Sequence, residues 1–211
     1  MEFAPRLDNK SRMSREVHVR FREGLGVRFP RATRLVIGFE LESDARRVME
    51  VLPKRFNRFG LTIHPTKTKL IEFGRPSREQ TSGKGKGTFD FLGFTHYWAR
   101  SRRGHWVVKR KTKAKKLRWA MKALWQWCRW NRHMPIGEQW KKLRQKLLGH
   151  YQYFGITGNY KLLDVYLQYT QRAWRFWLGR RHRSGPISWE KFNQHHLALF
   201  PLPRPKIVHT V

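Results

Sequence analysis

The chain has 211 residues, 39% of them apolar and 14% aromatic, enough to bury one large core or two small ones. Its formal charge of +32 far exceeds what solubility requires and drives self-repulsion unless a polyanion neutralises it, so nucleic acid or an anionic membrane surface is the expected partner class. Cys128 is the only cysteine, which excludes an intrachain disulfide framework and a Cys-rich zinc site; no run of about 18 apolar residues offers a membrane span, and the N-terminus has no signal-peptide core.

Residues 1 to about 30 mix charges and glycines without a period of 2.0 or 3.6 and are expected to be irregular. The pattern sharpens at Leu35, where "LVIGFE" is the short, apolar, β-branched run of a buried strand. A helix follows over "ESDARRVMEVLPKRFNRFG", with Ser43 or Asp44 as N-cap and Gly60 as its stop. Pro53 inside it predicts a kink or break, because proline removes one backbone hydrogen bond. "LTIHPTKTKLIEFG" has extended character on both sides of His64-Pro65. "TFDFLGFTHYWARSRRGHWVVKRKT" reads as two strands joined around Arg103-Gly104. The connection "RPSREQTSGKGKG" superficially resembles a phosphate-binding loop, but Gly-Lys-Ser/Thr ahead of a helix is missing; a flexible hairpin connection is expected.

After Thr112 the period becomes helical. Ala114, Leu117, Met121, Leu124 and Cys128 form an apolar stripe, with Lys113, Lys115, Lys116, Arg118 and Lys122 largely off it. A second helix follows Pro135, with Ile136, Trp140, Leu143, Leu147, Tyr151 and Phe154 on one side, and "GITGN" breaks it. A third runs from about Tyr160 to Leu178 and is apolar over more than one face, which predicts the most buried helix of the three. A short helix around "SWEKFNQHHLAL" precedes "FPLPRPKIVHTV", where Pro201, Pro203 and Pro205 impose an extended conformation.

The ten histidines are scattered without metal-ligand spacing. Cys128 with His133 could pair as nucleophile and base, but Cys128 falls on the apolar stripe and reads as a buried structural thiol. Glu40, Glu42 and Asp44 cluster after the first strand; the simpler role for them is to favour a helix N-terminus, where the dipole stabilises acids. Charge is the stronger signal. Phe91 to Val211 holds 26 Lys and Arg against three acids, Glu138, Asp164 and Glu190. Within it, Arg100, Arg102, Arg103, Lys109, Arg110, Lys111, Lys113, Lys115, Lys116 and Arg118 run without one acid, and Lys122 continues the series. Such cations bind backbone phosphate and release counterions, while Trp106 and Trp119 could stack on unpaired bases if exposed; most tryptophans are expected in the core.

"VIGFELESDARR", "FGLTIHPTKTKLIEFG" and "FDFLGFTHYW", in this order and spacing, resemble the last palm segments of reverse transcriptases encoded by group II introns. "KRKTKAKKLR" and "GHYQYFGITGN" look like their thumb, the maturase-specific region that binds intron RNA. The resemblance covers residues 34 to 205 and implies an α+β fold: an incomplete palm over 31–110, a short mainly antiparallel sheet with one helix, then an all-α thumb bundle with a Pro-rich tail over 111–211. The family's Tyr-Ala-Asp-Asp box, whose aspartates hold catalytic Mg2+, aligns with Arg31, Ala32, Thr33 and Arg34, so both aspartates are replaced and no cofactor is expected. Lys67 falls in a motif that faces the incoming nucleotide in such polymerases, and "FDFLGF" resembles the segment supporting the primer end; without metals both are expected to serve packing and turns.

The resemblance therefore implies a C-terminal fragment that binds structured RNA, group II intron RNA in particular, in a cytoplasmic ribonucleoprotein, with nonspecific DNA binding and no membrane partner. The alternatives are a reverse transcriptase subunit completed by a separate chain and a nonfunctional remnant that attracts any polyanion.

Overall fold

A computed structural model of the chain describes residues 15–22, 34–64, 67–76, 87–181 and 185–210. It is mixed, α+β, with most strands ahead of most helices: β1 (Arg15–Arg22), β2 (Arg34–Phe39), α1 (Glu42–Asn57), β3 (Thr62–Ile63), β4 (Lys69–Glu72), β5 (Thr88–Phe91), β6 (Phe94–Arg100) and β7 (Trp106–Thr112) precede α2 (Ala114–Trp130), α3 (Ile136–Phe154), α4 (Tyr160–Gly179) and α5 (Trp189–Phe192). The chain divides into two compact units, one of residues up to Leu92 with His96–Lys109, the other of Gly93–Thr95 with Arg110 onward.

In the first unit β1 is the centre of a four-stranded antiparallel sheet. β2 pairs along one edge, with Val17 opposite Ile37; on the other edge β4 pairs with residues 15–18 and β3 with Phe21 and Arg22. This corrects the expectation of an irregular segment for residues 15–22; the rest of residues 1–30 lies outside the described residues. "REVHVRFR" alternates Val17, Val19 and Phe21 with polar residues, a period-2 signal short enough to be lost among flanking charges. The Arg31–Thr33 segment and most of the Gly/Lys connection lie outside the described residues.

α1 begins at Glu42, with Leu41 as N-cap and no side-chain cap, so neither Ser43 nor Asp44 fills that role. Glu42 and Asp44 instead occupy the first turn, beside the positive end of the helix dipole, and Glu42 accepts from Arg46 Nη2 at 2.6 Å. The helix continues unbroken over Pro53. The loss of a single backbone bond is tolerated in a 16-residue helix whose Ala45 packs with Phe39, Met49, Leu52, Ile63 and Leu70. Its stop is as expected: Gly60 has φ 67°, and the Leu61 N–H donates to Phe56 O at 3.0 Å.

β5, β6 and β7 form a three-stranded antiparallel sheet, three strands where two were expected, because a second turn at Leu92 and Gly93, with φ 46° and 84°, divides the first run. An aromatic cluster joins Phe73 edge-on to Phe89 at 4.9 Å, Phe73 to Trp98 at 5.5 Å and Phe89 to the His96 ring at 4.5 Å. The β6–β7 turn closes with Ser101 N–H to His105 O at 2.7 Å, and Gly104 takes the positive φ, 80°, that a side chain would resist.

The second unit is built on α2, α3 and α4. Its core joins Leu117, Leu124 and Cys128 to Leu143, Leu147, Tyr151, Leu163, Leu167 and Trp174. α4 carries eight buried residues against three on α2 and four on α3, in line with its apolar surface on more than one face. Ala114, expected on the buried stripe of α2, is exposed, because the helix starts there.

Two buried amides fix the connections. The Gln139 Nε2 donates to Asn131 O at 2.7 Å, Arg132 O at 3.1 Å and Met134 O at 3.1 Å, while its Oε1 accepts from Trp174 Nε1 at 2.8 Å. Orphan carbonyls of the α2–α3 turn are thereby satisfied from inside the core. In "GITGN", Asn159 Oδ1 accepts from Thr112 N–H at 2.9 Å, and its Nδ2 donates to Thr112 Oγ1 at 2.7 Å and Phe154 O at 2.8 Å. The end of β7, and with it the start of α2, is thus pinned to the α3–α4 loop.

The proline-rich tail runs extended along the bundle. Trp140 Nε1 donates to Pro201 O at 3.0 Å, Tyr151 Oη to Pro203 O at 3.2 Å, and Ile156 bridges His209 in parallel. Ahead of it, α5 is capped by Ser188 Oγ, which accepts from Lys191 N–H at 3.3 Å, and continues into one π-helical turn over Asn193–Leu197.

Candidate nucleic-acid interface

The cations singled out from the sequence fall into two groups. Arg100, Arg102, Arg103 and Lys109 belong to the β6–β7 hairpin of the first unit, with Arg102 and Arg103 exposed in its turn. Two members are occupied within the hairpin: the Arg100 guanidinium lies 5.2 Å from the Trp106 ring centre, and Lys109 Nζ donates to Arg100 O at 2.7 Å. Lys109 is therefore turned back on its own hairpin. Trp106 is only 9% exposed and offers no face to a base, contrary to the stacking role considered for it.

Arg110, Lys111, Lys113, Lys115, Lys116, Arg118 and Lys122 belong to the second unit. Arg110 and Lys113 are half-buried near the pinned end of β7, Lys111 is exposed on that strand, and Lys113 N–H donates to Gly93 O at 2.9 Å. Lys115, Lys116, Arg118 and Lys122 are exposed on α2. No acid occupies the first turn of that helix, and none lies anywhere on it.

Helix geometry places these side chains against aromatics that periodicity alone left in the core. At about 100° per residue, Trp119 and Trp130 fall within about 20° of each other around α2 and about 16 Å apart along it. They are 70% and 75% exposed. Lys115, Lys122 and Ala123 occupy the same side, so α2 presents a stripe of alternating cation and indole. The opposite side holds Leu117, Leu124 and Cys128. Trp119 was visible as a candidate beside the basic run; Trp130 was not, since only the register of the buried stripe reveals which tryptophans face outward.

Not every cation of this unit is available. Arg181 donates from Nε to Arg132 O and from Nη2 to Met134 O, and Arg175 Nη1 donates to Ile187 O at 2.5 Å with its guanidinium 4.3 Å from the Trp189 ring centre. These two arginines hold loops. Arg144 and Lys146 lie 6.0 and 5.4 Å from the rings of Trp140 and Trp127, adding a second set of exposed cations on α3.

Cys128 is 3% exposed and burial pushes its thiol up to about 12, so it supplies no thiolate nucleophile, and His133 is exposed. Among the described residues no three His, Cys, Asp or Glu side chains gather at one place. Among the described residues no helix is long and apolar enough to cross a membrane. No protein-family model matches the chain, and no curated protein matches it.

Proposed function

We propose that this chain binds structured RNA through the acid-free face of α2, as a palm-and-thumb remnant of the group II intron reverse transcriptase and maturase family that has lost polymerase activity. The observation that carries the reading is the α2 stripe: Lys115, Lys116, Arg118 and Lys122 without an acid on the helix, beside Trp119 and Trp130 at 70% and 75% exposure. Lysines in the first turn of a helix oppose its dipole, and exposed indoles oppose solubility. A polyanion with accessible bases offsets both costs at once, since phosphate neutralises the cations and bases stack on the rings. In this reading the first unit stands for the end of the palm and the second for the thumb, and splicing assistance is stabilisation of folded RNA, the RNA itself performing the chemistry.

The test is equilibrium binding to a folded group II intron RNA and to an unrelated structured RNA of equal length across a salt series. The intron RNA should keep roughly a hundredfold advantage, about 2.7 kcal/mol, as salt rises. Equal decline of both affinities would reduce the protein to a nonspecific polyanion binder. Primer extension with magnesium should be blank, and activity would restore the polymerase reading.

A further inference from the structure

Beside the exposed stripe, α2 and α4 leave a shallow cleft of about 380 Å³ lined by Arg118, Met121, Lys122, Trp125 and Tyr169. The volume lies at the lower end of the range for small-ligand sites. Its wall is aromatic: the Trp125 ring sits 6.2 Å from Tyr169, 5.0 Å from Phe176 and 5.6 Å from Trp177. Its surroundings are cationic. Arg129 and Arg180 lie 5.9 and 4.9 Å from the rings of Trp177 and Phe176, and Arg172 is exposed one turn from Tyr169 on α4. The only acid of α4, Asp164, accepts from Gln168 Nε2 at 2.7 Å and falls on another side of the helix.

We propose that this cleft receives one unpaired nucleotide of the bound RNA, its base against Trp125 and Tyr169 and its flanking phosphates beside Arg118 and Lys122. The proposal rests on the RNA-binding reading and adds to it a preference for single-stranded features. An apolar aromatic slot with Arg118 and Lys122 one turn apart along its α2 side matches the layout of a nucleotide, a flat base beside anionic phosphates. An apolar peptide would find no complement to Arg118 and Lys122 at this slot, and a second copy of this cationic chain would meet repulsion there.

The experiment uses the full chain and two RNA hairpins of equal length and charge, one with a single-stranded loop or bulge and the other fully paired apart from a minimal closing turn. The looped RNA should bind about tenfold tighter. Tyr169→Leu should erase that advantage and leave affinity for the paired RNA unchanged, with the thermal melt confirming that the bundle survives. Lys122→Gln, on an exposed position that packing does not use, should weaken the looped RNA more than the paired one. Equal binding of the two hairpins, unmoved by Tyr169→Leu, would overturn the cleft and leave phosphate docking by α2 intact. Failure of both hairpins to bind would overturn the RNA reading itself. A DNA hairpin of the same sequence that bound tenfold tighter than the RNA would overturn the assignment to RNA.

Discussion

Asn159 shows how much a single buried amide can decide. Its side chain meets the backbone N–H and hydroxyl of Thr112 and the carbonyl of Phe154, and both Asn159 and Thr112 are almost wholly buried. Asn159→Ala leaves those buried groups without their partner, so a loss of about 3 kcal/mol is expected in denaturant unfolding, against about 1 kcal/mol for an exposed amide. His150 gives a pH signature. Its ring stacks 4.1 Å from Tyr166 and lies tilted 4.6 Å from Phe154, and burial holds its pKa down at about 4 against an ordinary 6.5. The folded state therefore binds fewer protons than the unfolded state between these values, and stability rises with pH across the window. The contribution is complete above pH 6.5 and is lost as pH falls to about 4, the whole loss being no more than about 2 to 3 kcal/mol. His196, held low mainly by burial, adds the same sign. Melting temperature measured from pH 4 to 7 should rise, and His150→Phe should flatten much of that rise; an unchanged slope would remove His150 as its source.

At the scale of elements, the tail and α2 behave oppositely. The Val208 and His209 N–H groups donate to Gly155 O at 2.7 and 3.0 Å, and a Cβ on Gly155 would meet Lys206 O at 2.7 Å. Gly155→Ala should release the tail, seen as faster hydrogen exchange at Val208 and His209 and a stability loss of about 2 kcal/mol; retained protection would mean the backbone adjusts. Replacing Trp119 and Trp130 with Ala should change stability by less than about 0.5 kcal/mol, because neither ring is packed, yet weaken binding of unpaired RNA by about 1 to 3 kcal/mol per stacked base. Competition titrations would separate this from a fold defect. The helices were legible in the sequence because their apolar periods are long and regular: Leu143, Leu147 and Tyr151 are buried in α3, and Leu117, Leu124 and Cys128 in α2. Gly60 was legible as a helix stop and Gly104 as a turn, and both take positive φ. β1 was not, since three alternating apolar residues carry too little signal among charges. The cation run was legible as a run, but the division of labour within it was not. Lys109 is spent on a carbonyl while Lys122 lines a cleft with Tyr169, 47 residues away, and such a pairing exists only once α2 has packed on α4.

For the whole molecule the dominant quantity is charge. From Arg110 onward 22 Lys and Arg face three acids, and Glu138, Asp164 and Glu190 lie outside α2. Self-repulsion on this scale destabilises the free protein, so added salt or a short polyanion should raise its melting temperature, the reverse of what a structure held by surface ion pairs would show. The same argument fixes the sign of a charge-removal experiment. Converting Lys115, Lys116, Arg118 and Lys122 to Gln should leave stability unchanged or slightly higher, because none of the four has an acidic partner among the described residues. RNA affinity should fall, and its dependence on the logarithm of salt concentration should become shallower by about 3, as expected when about four phosphate contacts with their released counterions are removed. Substituting four exposed cations on α3, Lys141, Lys142, Arg144 and Lys146, removes the same net charge from another face. If the α3 variant lost affinity and slope equally, attraction would follow total charge alone; a slope change confined to the α2 variant would locate the phosphate contacts on the helix that also carries the two exposed tryptophans.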